Sequence, residues 1–143
     1  MTSAPPSVVN LYYLNAFYCA YCASNGDDVL MFGEGLPAGY YVTGTGQYVN
    51  YYGVSMDIVA HEYSHAVTEY SSNLLYLNES GALNEAFSDI MSIGAEFYWQ
   101  STGSGPLRAE YLEGEDTYGP SLPGAVFGTR SLSDPAAYGD PDH

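Results

Sequence analysis

The pattern of apolar and polar positions changes character twice along the chain. Before Gly53 the apolar residues come in short runs, Val8-Val9-Asn10-Leu11-Tyr12-Tyr13 and Val29-Leu30-Met31-Phe32, rich in β-branched and aromatic side chains. Such runs predict strands, and Asn25-Gly26-Asp27-Asp28 between them is a turn signal. Gly33 to Gly53, rich in Gly, Tyr and Thr, predicts loop and twisted ribbon. From Ser55 the spacing turns helical. Met56, Val59, Ala60 and Val67 predict a helix to about Tyr70, with Ser55 as N-cap and Asp57 in the first turn, where the helix dipole favours a carboxylate. Ser71-Ser72-Asn73 ends it, and a short link carries Leu74, Leu75 and Leu77. Leu83, Ala86, Phe87, Ile90, Met91 and Ile93 recur close to the 3.6 period and predict a second helix from about Ala82 to Tyr98, capped by Ser80. After Ser101 the chain is Gly, Pro, Ser and acid, which predicts irregular structure. So long a loop in a compact domain is usually functional or held by ligands. The expected fold is α+β: a β-hairpin region, two packed helices and a long acidic loop.

Composition narrows the partners. The chain has 143 residues, the size of one domain, and is 46% hydrophobic, enough for a core. No run of about 18 apolar residues exists, and Met1 to Asn10 lack the charge and apolar core of a signal peptide. Seventeen acids face two arginines, Arg108 and Arg130, giving a net charge of −15. That surface repels nucleic acid and anionic membranes, so neither is an expected partner; it suits cations, and a secreted or a salt-adapted protein equally. Sixteen Tyr add large rings that each keep a hydroxyl for hydrogen bonding. Cys19 and Cys22 form a CxxC pair, which reads as a redox site, half a zinc site or a local disulfide. No second CxxC exists and the surroundings are strand-like, so a structural role, as free thiols or a small disulfide, is the expectation.

The chemistry concentrates in the first helix. His61 and His65 stand four residues apart, on one face, so two imidazoles reach one zinc ion. Glu62 projects beside the metal, where it accepts a proton from metal-activated water. A chance match on a helix with two hydrogen-bonded core histidines is the rival. Against it, the chain has three His and two of them make this pair. A third ligand is also available, since Asn84-Glu85-Ala86-Phe87-Ser88-Asp89 lies on the next helix. Glu85 supplies a carboxylate oxygen, and Asp89, one turn on, accepts a hydrogen bond from a ligand imidazole and fixes its orientation. Three protein ligands leave a fourth position open, the mark of a catalytic site. Downstream, Glu110, Glu113, Glu115 and Asp116 crowd into seven residues, and their mutual repulsion invites calcium; a solvated acidic loop is the rival.

His61-Glu62-Tyr63-Ser64-His65-Ala66-Val67-Thr68 and Asn78 to Ile90 together resemble the thermolysin-like neutral metalloproteases. Asn15-Ala16-Phe17-Tyr18 and Met31 to Gly35 resemble that family's substrate-edge strand and the hairpin after it. Arg130 to Pro135, with Tyr138-Gly139-Asp140-Pro141-Asp142-His143, resembles a later segment, so the likeness spans nearly the whole chain. The resemblance implies a secreted zinc endopeptidase acting on protein or peptide substrates. His61, His65 and Glu85 would be zinc ligands and Glu62 the general base, with Asp89 orienting a ligand imidazole. Tyr76 and Arg130 would hold the reacting carbonyl, and Asn15 and Ala16 the substrate backbone. Asp57, Glu96, Glu110 and Glu115 fall where the family holds calcium, although the spacing over 101–113 differs and Leu112 stands where the family has an acid. Residues 1–53 would be the β-rich end of an N-terminal subdomain, 54–100 the zinc-binding helices, and 101–143 the calcium loop leading to a helical C-terminal subdomain missing from this chain. The family's second catalytic histidine lies beyond the GDPDH block, so His143 is not it. Two further readings follow: a metal-binding fragment that is catalytically incomplete, and an acidic, salt-adapted binding module with an idle HExxH.

Overall fold

The computed structural model describes residues 4–42, 46–119 and 128–140. Pro141, Asp142 and His143 of the GDPDH block lie outside them. Three strands form one sheet: β1 (Ser7–Leu11), β2 (Ala16–Cys19) and β3 (Val29–Gly33). Their order is β1-β3-β2, with β1 parallel and β2 antiparallel to β3. The β2–β3 hairpin pairs Ala16 with Phe32 and Cys19 with Val29. Strand β2, which the run-based prediction passes over, is therefore an edge strand. Its apolar content, Ala16-Phe17-Tyr18-Cys19, is too short to stand out by period. A Cys19–Cys22 disulfide, with Cα atoms 5.6 Å apart, closes the turn beyond β2.

The sheet packs on the start of the first helix, α1 (Met56–Ser71). Ala16, Leu30, Phe32, Val49, Tyr52 and Ile58 form the buried core. Ser55 is the N-cap in extended conformation, but its hydroxyl bonds Asp57 Oδ1 and not a helix N–H. Asp57 Oδ1 in turn accepts from Ile58 N at 2.7 Å. Asn73, left-handed at φ 48°, donates to Thr68 O at 2.8 Å and stops α1 where its Ser-Ser-Asn signal stands.

Helix α2 (Asn78–Trp99) starts four residues before the expected Ala82, and Leu77, not Ser80, is its N-cap. The Ser80 hydroxyl bonds Leu77 O at 2.8 Å inside the first turn. Gly81 lies inside the first turns of α2, and a Cβ there would stand 3.2 Å from the Tyr76 carbonyl carbon. The missing side chain lets the link lie against the helix. The apolar stripe of α2 does not face the core: Leu83, Phe87, Ile90 and Met91 are exposed, while Gly81, Asn84, Ser88, Ser92, Ile93 and Glu96 are buried. The helix turns its polar face toward α1, because that face carries the site.

The acidic segment contains short pairings. Strand β4 (Tyr48–Val49) pairs antiparallel with β6 (Tyr118–Gly119), and β5 (Leu112–Glu113) with β7 (Arg130–Ser131). A 3-10 turn, Pro135–Tyr138, follows, with Asp134 accepting from Ala137 N at 3.3 Å. The pairing of β5 with β7 carries Arg130 back to the helices.

Candidate metal centre

Helix α1 presents His61 and His65 one turn apart, and α2 brings Glu85 against them. His61 Nε2 and His65 Nε2 are 3.0 Å apart. Glu85 Oε2 stands 3.4 Å from the first and Glu85 Oε1 3.4 Å from the second. Two donors each 2.0–2.1 Å from a tetrahedral zinc are about 3.3–3.4 Å apart. Two imidazole nitrogens and a carboxylate at these separations fit one such ion, and they leave a corner open.

The rear nitrogens are held. His65 Nδ1 faces Asn84 Oδ1 at 2.8 Å and Ser88 Oγ at 3.3 Å. His61 Nδ1 faces Asp89 Oδ1 at 2.9 Å and Glu113 Oε1 at 3.0 Å. Burial works against a charged His61, but its ring N–H groups donate to Asp89, Glu113 and Glu85, and these hydrogen bonds overcome burial and push its pKa up to about 11. Burial lowers His65, which favours the neutral form that ligates. Glu85 is held well below the usual carboxylate range: burial opposes this, and the His61 and Tyr76 hydrogen bonds outweigh it.

Glu62 lies in the same cleft, and its Oε2 accepts from the Tyr18 backbone N–H of edge strand β2 at 2.8 Å. Burial pushes its carboxyl up to about 7, partly offset by the charge of His61. The Tyr76 hydroxyl donates to Glu85 Oε1. Arg130 Nη1 is 3.1 Å from Glu85 Oε2 and 3.1 Å from Asp89 Oδ1. The cleft, about 590 Å3, is lined by Asn15, Ala16, Tyr18, Tyr76 and Arg130 together with His61, Glu62, His65 and Glu85. Every residue that the sequence assigns to the first site therefore lies in or against one cleft.

The acids of the loop divide between two places. Asp57, Glu96 and Glu115 converge, with donor oxygens within 4.8 Å of one another. They are 0%, 0% and 6% exposed, and both carboxylate oxygens of Glu96 and of Glu115 lack a hydrogen-bond partner among the described residues. Buried carboxylates without partners need a cation or a proton, and an all-oxygen donor set suits calcium. Burial, then the charge of Asp57, pushes Glu96 up to about 7 and Glu115 up to about 9. Glu110, placed in the same set by sequence, stands outside the converging trio. Its Oε1 is buried without a partner among the described residues, and burial, with the charge of Asp116, raises its pKa.

Glu113 goes the other way. Gly114, at φ 77°, turns the backbone so that Glu113 faces His61 while Glu115 faces Asp57. The Gly114 N–H also donates to Asp57 Oδ2. Sequence reading grouped Glu113 with the calcium acids and missed Asn84, Ser88 and the Tyr18 N–H altogether. Asn84 and Ser88 flank the Glu85 to Asp89 register and are legible by helical spacing. The Tyr18 contact is a main-chain group across 44 residues, and no side-chain pattern announces it.

Residues 72–143, half of the chain, match the family model for the thermolysin metallopeptidase, alpha-helical domain. The chain belongs to the thermolysin metallopeptidase family. Thermolysin of Alicyclobacillus acidocaldarius subsp. acidocaldarius is 46% identical over 103 residues, 72% of this chain and 17% of that protein. Bacillolysin of Bacillus cereus is 48% identical over 104 residues, 71% of this chain and 17% of that protein. The chain thus spans less than a fifth of these curated relatives. Among solved structures, the precursor of protealysin, a metalloproteinase from Serratia proteamaculans, aligns at TM-score 0.57 and 27% identity, covering 86% of this chain and 32% of that one. This likeness and the mixture of helices with small sheets agree with the α+β, zincin-like architecture expected for a thermolysin-family chain.

Proposed function

We propose that this segment carries the catalytic core of a zinc-dependent endopeptidase that works outside the cell on protein or peptide substrates. The observation that supports the reading most is the His61–His65–Glu85 triangle with Glu62 beside it. Zinc, when bound, polarises a carbonyl oxygen and makes its water acidic at neutral pH. The chain's own groups supply the rest. Edge strand β2 has no strand on its outer side among the described residues, and an extended peptide would pair along it beside Asn15 and Ala16, with the Tyr18 N–H already held by Glu62. Glu62 accepts a proton from the attacking water and delivers it to the leaving amine. Its raised pKa suits a base and acid working near neutrality. The Tyr76 hydroxyl and the Arg130 guanidinium, both at the cleft wall, donate to the carbonyl oxygen as charge develops on it. Asp89 holds the His61 ring in its ligating orientation.

Calcium in the Asp57–Glu96–Glu115 trio, with Glu110 and Asp116 beside it, fits this reading as a structural ion. The disulfide agrees with an oxidising compartment. The exposed apolar face of α2 supports a domain division in which 54–100 carries the helices and a further helical subdomain covers Leu83, Phe87, Ile90 and Met91. That same exposed face favours the alternative for the 143 residues alone: metal binding without turnover. One experiment addresses both. Peptide hydrolysis and zinc content are measured for the chain and for its longer parent, with and without a zinc chelator, alongside Glu62→Gln. Chelator-insensitive cleavage, or full activity in Glu62→Gln, refutes the endopeptidase reading. Stoichiometric zinc with no cleavage by the chain, beside an active parent, assigns the alternative to the segment.

A further inference from the structure

We propose that Glu113 is a positioning residue for His61, a second carboxylate on an imidazole for which the sequence pattern supplies Asp89 alone. The inference rests on the zinc reading above and deepens it. His61 Nδ1 has one proton and two charged acceptors, Asp89 Oδ1 at 2.9 Å and Glu113 Oε1 at 3.0 Å. The two acids are not equivalent. Asp89 is shared: Arg130 Nη1 lies 3.1 Å from both of its oxygens, so its charge is largely spent on the guanidinium. Glu113 is 1% exposed and is fixed from both ends. Its Oε1 also takes the Ser92 hydroxyl at 3.3 Å, and its Oε2 has the Thr129 hydroxyl at 3.4 Å and Arg130 Nε at 3.5 Å. A carboxylate buried this deeply is tolerated only when its oxygens are partnered, and here Oε1 meets His61 and Ser92 while Oε2 meets Thr129 and Arg130. This separates it from Glu96 and Glu115, whose oxygens have no partner among the described residues.

Gly114 makes the assignment possible. Its left-handed backbone sends adjacent acids to two different centres, and a Cβ in its place would come within 3.3 Å of Thr129 Oγ1. A negative partner behind a ligating imidazole fixes its tautomer and raises its basicity, and losing such a partner commonly weakens metal binding 10–100-fold. With two partners on one N–H, either can serve when the other is lost.

The test is zinc affinity of the 143-residue protein, measured by competition with a chromophoric chelator, for wild type, E113Q, D89N and the double variant. Circular dichroism and the metal-free melting midpoint report folding. Each single change is expected to weaken zinc by less than about tenfold, and the double change by more than the product of the two, on the order of a hundredfold or beyond. E113D keeps the enclosed charge, and so the fold, should E113Q lose it, but withdraws the carboxylate from His61 by one methylene. It is expected to weaken zinc severalfold, which a role limited to buried charge balance would not do. Folded E113Q and E113D proteins that bind zinc as tightly as their parents, in both the wild-type and D89N backgrounds, overturn the proposal. A wild-type chain that takes up no zinc overturns the metal reading itself, and this inference with it.

Discussion

A cation proposed for the Asp57–Glu96–Glu115 trio would contribute a large share of the stability of the fold, and its removal is a perturbation with a definite sign. Three carboxylates buried to 6% exposure or less converge there, and four of their six oxygens have no hydrogen-bond partner among the described residues. Without a cation the folded chain must hold protons instead, which is why Glu96 sits at about 7 and Glu115 at about 9, against an ordinary 4.5. A carboxyl raised in the folded state binds a proton that the unfolded chain releases. Its contribution is therefore present at acid pH and is lost as pH rises from the unfolded value to the folded one. Each such group removes about 1.4 kcal/mol per pH unit in that window. Across Glu96 and Glu115 together the loss from pH 5 to pH 8 is on the order of a few kcal/mol, a large share of the roughly 5–15 kcal/mol that holds a domain folded. Calcium bound at the proposed site would reverse this, since a ligand at about 1,000 times its Kd contributes about 4 kcal/mol. The assay is thermal unfolding from pH 5 to pH 8, in chelator and in millimolar calcium. In chelator the midpoint should fall with rising pH, by roughly 10 °C or more. In calcium it should stay level, and Glu115→Gln should flatten the chelator curve. Equal midpoints with and without calcium at pH 8, or a chelator curve that rises with pH, would refute the reasoning.

Further expectations are narrower. Glu62→Gln should leave zinc content unchanged in the parent protein and lower kcat by at least about a hundredfold, the scale of a lost general base; metal analysis beside peptide hydrolysis checks it. Glu85→Gln removes a ligand charge that His61 and Tyr76 stabilise, and should reduce retained zinc below stoichiometry on dialysis. Gly114→Ala should cost about 1–2 kcal/mol for left-handed backbone, and should weaken calcium and zinc together because both centres flank that turn; urea unfolding and the two metal titrations report it. Reducing Cys19–Cys22 opens a very short loop, so the loss should be about 2 kcal/mol by loop entropy, seen as a lower urea midpoint in reductant.

The chain alone determined the family and the groups of the first site. Four-residue spacing puts His61 and His65 on one helix face whatever the rest of the fold does, and Glu85 with Asp89 repeats that logic on the next helix. The same local rules found the end of α1 and the acids of the loop. They failed where a decision is made across the fold. Periodicity marked an apolar stripe on α2 but not what packs against it; within this segment the structure buries the polar face, with Asn84, Ser88 and Ser92, and leaves Leu83 and Ile90 exposed. Ser80 reads as a cap, yet it lies inside α2, and Gly81 beside it leaves room for the link at Tyr76. Glu113 and Glu115 look alike in sequence. Only the pairing of β5 with β7 and the left-handed turn at Gly114 send one to His61 and the other to Asp57. Which side chains share one helix face is written in local spacing, which backbone geometry enforces over one or two helical turns. Which acid stands behind which ligand depends on long-range strand pairing and burial, and those are properties of the folded chain.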